Sequence, residues 1–201
     1  MPDFLVDSKV WQWANVGFGE YDTMILQKSM RELGKKTNSG HLNFWGKIKG
    51  TQKDYFIVEG TLEAGEPVEG EVIGEPRGTG VNKFVYWVSN APNGPWTELP
   101  DIKAPQLVAA RGIKHTFTGD LNSKIFTNPF YYDTEKVYLR AQIARITAHA
   151  VLVPKGVYKL NEENPREIEE NVPEEGEAVK PTSKQMASLD MWVHYNLGIL
   201  K

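Results

Sequence analysis

Four histidines are the residues of this chain best suited to hold a transition metal. His41, His115, His149 and His194 stand far apart, and no two have the spacing of a local metal-binding motif. Three or four ligands would therefore have to converge from distant segments. We interpret these histidines as ordinary surface or capping residues, and we expect neither a metal ion nor a cofactor.

A glycine-rich segment raises a second kind of chemistry, the binding of phosphate. Gly74–Gly80 (GEPRGTG) has the composition of a phosphate-binding loop, but no Lys-Ser/Thr pair follows, and the segment leads into a predicted strand. The free N–H groups of a helix N-terminus, which bind phosphate in such loops, are thus missing. A hairpin or bulge is the preferred interpretation. A small-ligand or nucleotide-binding module using residues 74–80 is the alternative function.

Nucleophiles and acid–base pairs show no recognisable pattern. The chain has no cysteine, which excludes a disulfide framework, a thiol nucleophile and a thiolate zinc site. It contains no Gly-X-Ser-X-Gly motif. The carboxylates of Asp54, Asp120 and Asp133 lack the spacing that would indicate paired catalytic acids. The sequence therefore predicts that the protein is not an enzyme.

The aromatic composition points instead to contacts with other proteins. Six tryptophans and eight tyrosines accompany loops rich in proline and glycine, and Trp, Tyr and Arg often anchor protein interfaces. Pro92 and Pro95 restrict the backbone before Trp96, so this side chain should occupy a defined place. Arg140 and Arg145 fit either the recognition of acidic partners or solvated strand positions.

The elements that position these residues begin with a short apolar strand. Phe84–Val88 (FVYWV) is aromatic and β-branched and is flanked by turn-forming residues, which predicts a strand buried on both faces. Residues 42–48 alternate, with Leu42, Phe44, Gly46 and Ile48 on one face, and residues 54–59 return as the second strand of a hairpin.

Three helices are predicted around this sheet, and one segment is ambiguous. The helices span residues 21–34, capped by Gly34, residues 106–116, and residues 184–195 after an N-cap at Ser183. Residues 137–146 fit either a helix or a strand, and the β-rich neighbouring sequences favour the strand. The predicted class is α+β, a mostly antiparallel β-sheet core with a few peripheral helices in a single domain over 1–201.

Charge is distributed unevenly along the chain. Residues 161–177 hold eight glutamates against the single Arg166, a local charge of −7, so the remainder carries +4 within a net charge of −3. We expect residues 161–182 to be a mobile acidic stretch. A weakly basic remainder does not predict nucleic-acid binding. No signal peptide and no apolar run of about 20 residues is visible, so we expect a soluble intracellular protein without a membrane partner.

Several long segments resemble one known family. The sequence is similar to the radial spoke head protein 4/6 family of the ciliary and flagellar axoneme, in the order of the family and over nearly the whole chain. The segments that carry the resemblance are Phe44–Gly60, Gly78–Ile102, Ala110–Leu121 and Tyr138–Thr147.

The resemblance implies a non-enzymatic structural subunit of the radial spoke head that relays mechanical signals between the central pair and the dyneins. It implies a location in the axoneme, within the cytoskeleton of the cilium or flagellum. The implied partners are other radial spoke head proteins, including the spoke-head protein 9 type, and the central pair apparatus, with a homodimer as a further expectation. On this basis Trp96, Arg140 and Arg145 are candidates for a partner interface. The family usually continues into a Gln-Gly-Arg segment, whereas this sequence ends at Lys201, so the resemblance predicts no partner contact of such a tail for this sequence.

Overall fold

A four-stranded antiparallel sheet forms the centre of the first of two compact units, Met1–Ala141 and Gln142–Lys201. The computed structural model describes residues 4–13, 17–61, 75–164, 167–173 and 180–198. The strands, in their order across the sheet, are β1 (His41–Ile48), β2 (Tyr55–Thr61), β3 (Val85–Ser89) and β4 (Thr97–Glu98). Every residue of β3 is buried, which confirms the predicted central strand. The predicted α+β class is also confirmed.

The alternation predicted for β1 holds only as far as Phe44. The register against β2 shifts between Phe44 and Gly46, so an extra residue interrupts the ladder as a β-bulge. Beyond the bulge, Lys47 shares the face of Phe44, because its Nζ lies 5.0 Å from the centre of the Phe56 ring and 5.8 Å from that of Phe18. The prediction that Gly46 and Ile48 continue the face of Leu42 is therefore wrong.

Two helices precede the sheet, α1 (Phe4–Trp13) and α2 (Glu20–Thr37). The predicted helix at residues 21–34 is confirmed, and α2 buries its apolar stripe against the sheet. Gly34 does not cap it, since the helix continues to Thr37 and Asn38 takes the left-handed position with φ 51°. A Cβ on Gly34 would lie 3.1 Å from Leu42 Cδ1, so this glycine permits close packing against β1.

The segment predicted as a strand at residues 137–146 is helical. α4 spans Glu135–His149, so the strand prediction is wrong: burial of side chains at helical spacing outweighs the β-propensity of the sequence VYLR. Leu139 and Ile143, one helical turn apart, are both 0% exposed, and the small residues Ala144 and Ala148 are buried beyond them. α3 (Ala104–Arg111) ends five residues before the predicted boundary.

In its described residues, the second unit has two short antiparallel strand pairs. β5 (Val151–Pro154) pairs with β8 (Trp192–Tyr195), and β6 (Tyr158–Leu160) pairs with β7 (Ile168–Glu170). The predicted helix at 184–195 is wrong beyond its first turn.

The boundaries of this last segment have a local explanation. Thr182 and Gln185 form a capping box for α5 (Ser183–Met186), a single helical turn, so Thr182 takes the N-cap predicted for Ser183. The β-branched and aromatic residues that follow complete a sheet with β5. β7 lies within the acidic stretch 161–182, whose mobility stays a prediction, as does the single-domain organisation.

Candidate functional site

Trp96 follows the proline-rich loop and is half-buried in the first unit. Its indole Nε1 donates a hydrogen bond of 2.7 Å to Ser29 Oγ on α2, and its ring packs against the cluster formed by α2 and the sheet. The side chain is thus fixed from two directions, and its remaining surface is available to a partner. A role of Trp96 in an interface remains a prediction.

Arg140 lies in the interior, where it is 1% exposed. Its Nη2 donates to the carbonyl oxygen of Val81 at 2.8 Å and to Asn82 Oδ1 at 3.2 Å. The guanidinium carbon stands 4.7 Å from the centre of the Tyr86 ring, a cation–π contact. Burial lowers the pKa of Arg140. In this fold the guanidinium contacts interior groups, whereas both sequence interpretations placed it at the surface.

Arg145 belongs to the second unit and is half-buried. Its Nη1 donates to Gln142 Oε1 at 3.1 Å, three residues earlier on α4. This bond leaves part of the guanidinium accessible. The candidate partner surface is therefore reduced to Trp96 and Arg145, which lie in different units.

The largest polar constellation in the described residues centres on Glu135, which sequence reasoning missed. This carboxylate is 0% exposed at the first turn of α4. Oε1 accepts from Tyr55 Oη at 2.7 Å and from Gly119 N at 3.0 Å. Oε2 accepts from Thr118 Oγ1 at 2.9 Å, the backbone N–H of Thr118 reaches both oxygens, and His115 Nε2 stands 3.3 Å from Oε2.

This arrangement favours the ionised carboxylate. Burial alone would raise the pKa of Glu135, but the hydrogen bonds from Thr118, Tyr55 and Gly119 outweigh it and hold the pKa below its ordinary value. Burial, with the adjacent charge of Glu135, raises the pKa of Tyr55. Because donors occupy both oxygens and no surface is exposed, Glu135 has no lone pair directed toward a substrate. Its geometry is that of a structural anchor.

Gly119 is required where it meets Glu135. Its φ is +97°, in the left-handed region that favours glycine, and a Cβ there would lie 2.4 Å from the carbonyl oxygen of Lys53. We expect Gly119→Ala to lower the free energy of unfolding by about 2–3 kcal/mol, measured by urea denaturation. In the control Gly40→Ala the new methyl group meets nothing within 4 Å, and a change within about 0.5 kcal/mol is expected. Equal effects of the two variants would contradict this assignment.

Asn82 forms the second buried polar centre and is 2% exposed. Its Nδ2 donates to the carbonyl oxygens of Glu75 and Ile102 at 2.9 and 3.0 Å. Its Oδ1 accepts from Ile102 N at 2.9 Å, in addition to the bond from Arg140. The side-chain amide of Asn82 thus connects the loop before β3, by hydrogen bonds, to the segment before α3 and to α4.

The glycine-rich segment does not present a free phosphate site in its described part, which begins at residue 75. The carboxylate of Glu75 accepts a hydrogen bond from Val81 N and fills the space beside Gly80. Arg77 pairs with Glu98 at 3.0 Å and with Asp101 at 3.1 Å. An internal anion therefore occupies the loop, and the nearby cation is neutralised, which disfavours nucleotide binding.

Two further features of the described residues bear on function. Groups of three or more histidine, aspartate or glutamate side chains arranged to hold a metal ion do not occur among them. His194 Nε2 contacts the carbonyl oxygen of His149, so these two histidines lie together without forming a ligand set. Within the described segments, each helix is too short or too polar to cross a bilayer.

Comparison with known proteins decides the family. The family described as radial spokehead-like protein matches residues 1–73 and 67–201. The chain belongs to the radial spokehead-like protein family. It is 32% identical to human radial spoke head protein 4 homolog A over 244 residues, covering 100% of this chain and 34% of the relative. It is 37% identical to flagellar radial spoke protein 4 of Chlamydomonas reinhardtii over 201 residues, covering 89% and 42%.

Radial spoke head protein 6 homolog A of Xenopus tropicalis is 30% identical over 243 residues, with 100% of this chain and 46% of the relative covered. The chain thus spans between a third and a half of the length of these three relatives.

The four segments that resemble radial spoke head proteins meet at the two buried networks. Tyr55 comes from the first, Asn82 from the second, Thr118 from the third and Arg140 from the fourth. These four residues thus take part in interior hydrogen bonds of the first unit.

Proposed function

We propose that this chain is a non-enzymatic structural part of the radial spoke head in the axoneme of cilia or flagella. The observation that carries the proposal is the family match over residues 1–73 and 67–201. The internal engagement of Glu135, Asn82 and Arg140 supports it, because these polar groups complete the fold and do not face a substrate. In this role the chain takes part in spoke-head assembly and in the relay of mechanical signals between the central pair and the dyneins.

The proposal includes its partners. These are other radial spoke head proteins, among them a subunit of the spoke-head protein 9 type, the central pair apparatus, and a second copy of the chain in a homodimer. Trp96 and Arg145 are the proposed contact residues. Both are half-buried, so each combines a fixed position with an accessible surface.

The location of a tagged full-length protein in a flagellated cell tests the function. We expect it in the detergent-insoluble axoneme, and we expect this retention to disappear in cells that lack spoke heads. A soluble pool that does not depend on spoke heads would contradict the proposal.

The contact residues need variants that spare the fold. Arg145→Glu reverses a partly exposed charge, and Trp96→Phe reduces the accessible aromatic surface. Because Trp96→Phe also removes the internal hydrogen bond to Ser29, its free energy of unfolding is measured alongside. We expect each to weaken recovery of spoke-head proteins in a pull-down by about threefold to tenfold, as loss of about 1 kcal/mol requires. Lys136→Glu, a charge reversal outside the proposed contact, is the matched control. Unchanged recovery with both contact variants would exclude these residues.

Nucleotide binding at residues 74–80 is the alternative function, and the loop geometry disfavours it. A thermal-shift screen with nucleotides and divalent metal ions tests it, because a ligand at 100 times its Kd stabilises the folded state by about 2.7 kcal/mol. We expect no shift across the panel, and a saturable shift that Arg77→Ala abolishes would revive this alternative.

A further inference from the structure

An apolar pocket of about 550 Å³ lies between α1 and the edge strand β1. Its base includes Met30 and Leu42, which are 1% and 3% exposed. Three aromatic rings pack beside them, with ring centres 5.1 Å apart for Phe4 and Phe44 and 5.5 Å apart for Phe18 and Phe44. A cavity of this size with apolar walls is typical of a binding site.

The helix that bounds the pocket also carries apolar side chains outside the pocket. Phe4, Ser8 and Trp11 line the pocket, while Val6, Val10 and Trp13 follow the same helical spacing elsewhere on the helix and are 60%, 62% and 88% exposed. Large apolar side chains that lie together at a protein surface often mark a contact with another protein, and ten residues are too few for a stable isolated helix. The apolar surface thus extends well outside the pocket, which suits a protein segment better than a small molecule.

The charge of the pocket selects among such segments. Asp7 is the one ionisable residue among its described lining residues, and it is exposed, with no ion pair in the described chain. Lys47, which follows the lining residue Gly46 in the chain, is held by Asp54 at 2.7 Å. A carboxylate at an apolar site attracts an ammonium or guanidinium group and repels a fatty acid. The indoles of Trp11 and Trp45 add faces on which a cation can rest.

We propose that this pocket binds a segment of a partner protein in which a bulky apolar side chain stands beside a lysine or arginine. The apolar side chain fills the space over Met30 and Leu42, and the cation pairs with Asp7. The identity of the partner as a spoke-head component rests on the proposed function, whereas the chemistry of the bound segment does not.

Two fluorescein-labelled peptides test the charge selection. Both carry the apolar sequence Leu-Phe-Leu, flanked by lysines in one and by glutamates in the other, and binding to the full chain is followed by fluorescence anisotropy. We expect the lysine peptide to bind about tenfold more tightly, which corresponds to about 1.4 kcal/mol. Asp7→Lys should reverse this preference. Glu32→Lys, the same charge change at an exposed position of α2 outside the pocket, should leave it unchanged.

Equal affinities for the two peptides, no saturable binding, or displacement of the lysine peptide by decanoate at equal affinity would overturn the proposal. A second measurement separates it from the proposed function. A photo-reactive p-benzoylphenylalanine in place of Trp11 should cross-link, in cilia, to a segment with an apolar residue beside lysine or arginine. If the chain is retained in the axoneme but no such cross-link forms, the result contradicts the proposed pocket binding and leaves the proposed function intact. If the chain is absent from the axoneme but still prefers the lysine peptide, the result contradicts the proposed function and leaves the pocket binding intact.

Discussion

Replacing Glu135 by alanine is expected to lower the free energy of unfolding by about 4 kcal/mol, the largest effect of any single substitution considered for this protein. The variant leaves the N–H groups of Thr118 and Gly119 and the hydroxyl group of Tyr55 without their acceptor in the interior. Each buried donor without a partner costs about 1–3 kcal/mol. Urea denaturation, followed by circular dichroism, measures the loss.

A surface carboxylate provides the matched control. Glu98 pairs with Arg77 at 3.0 Å, but both side chains are about two-fifths exposed, so Glu98→Ala should cost less than about 1 kcal/mol. If the two alanine variants are equally stable, Glu135 does not anchor the fold.

The same carboxylate predicts how stability depends on pH. The folded-state pKa of Glu135 is below its ordinary value of 4.5, so the folded state holds this proton less tightly than the unfolded chain does. The contribution of Glu135 is therefore complete above about pH 4.5 and is lost as the pH falls through the lower, folded-state pKa. We expect Glu135→Gln to be less stable than the wild type at pH 7, with a difference that narrows below pH 4.5. A constant difference from pH 7 to pH 3 would contradict this ionisation state.

Replacing Arg140 by alanine is the second large expected effect, a loss of about 3 kcal/mol of unfolding free energy. The substitution removes the hydrogen bonds to Val81 and Asn82, removes the cation–π contact with Tyr86, and leaves a cavity at a site that is 1% exposed. Denaturant unfolding of the full chain is the measurement.

Arg140→Met separates volume from charge at this position. Methionine fills part of the space that the arginine side chain occupies. It also removes the cost of burying a cation, and in Arg140 the buried nitrogen Nη1 has no hydrogen-bond partner among the described residues. We expect this variant to lose about half as much stability as Arg140→Ala. Arg145→Met, on the half-buried part of α4 that belongs to the second unit, should change stability by about 0.5 kcal/mol or less. An Arg140→Ala variant as stable as Arg145→Met would contradict the interior role.

The different burial of Arg140 and Arg145 affects how partner contacts should be tested. Charge reversal at Arg140 places a carboxylate against the carbonyl oxygen of Val81 in the interior, so a lost interaction in a pull-down would report unfolding of the first unit. Charge reversal at the half-buried Arg145 does not place a carboxylate in the interior.

Local sequence patterns alone predict several secondary-structure elements of this protein. The aromatic run at Phe84–Val88 predicts a strand buried on both faces because it is short, β-branched and flanked by turn residues, and β3 confirms it. α2 follows in the same way from a period of 3.6 residues, and the hairpin from the alternation of β1 as far as Phe44. The resemblance carried by long segments also gave the family, which the family match confirms.

Only the tertiary structure shows the burial and the hydrogen-bond partners of residues that contact distant parts of the chain. Glu135 meets Tyr55 across 80 positions, and Arg140 meets Val81 across 59, so no local window contains the reason for either burial. The same holds for β8, which is a strand because β5 lies beside it, and for α4, where burial of Leu139 and Ile143 outweighs local β-propensity. The sequence identified residues that resemble a family. Only the fold assigned them to the interior, because burial of a polar group is favourable only where distant segments supply its hydrogen bonds.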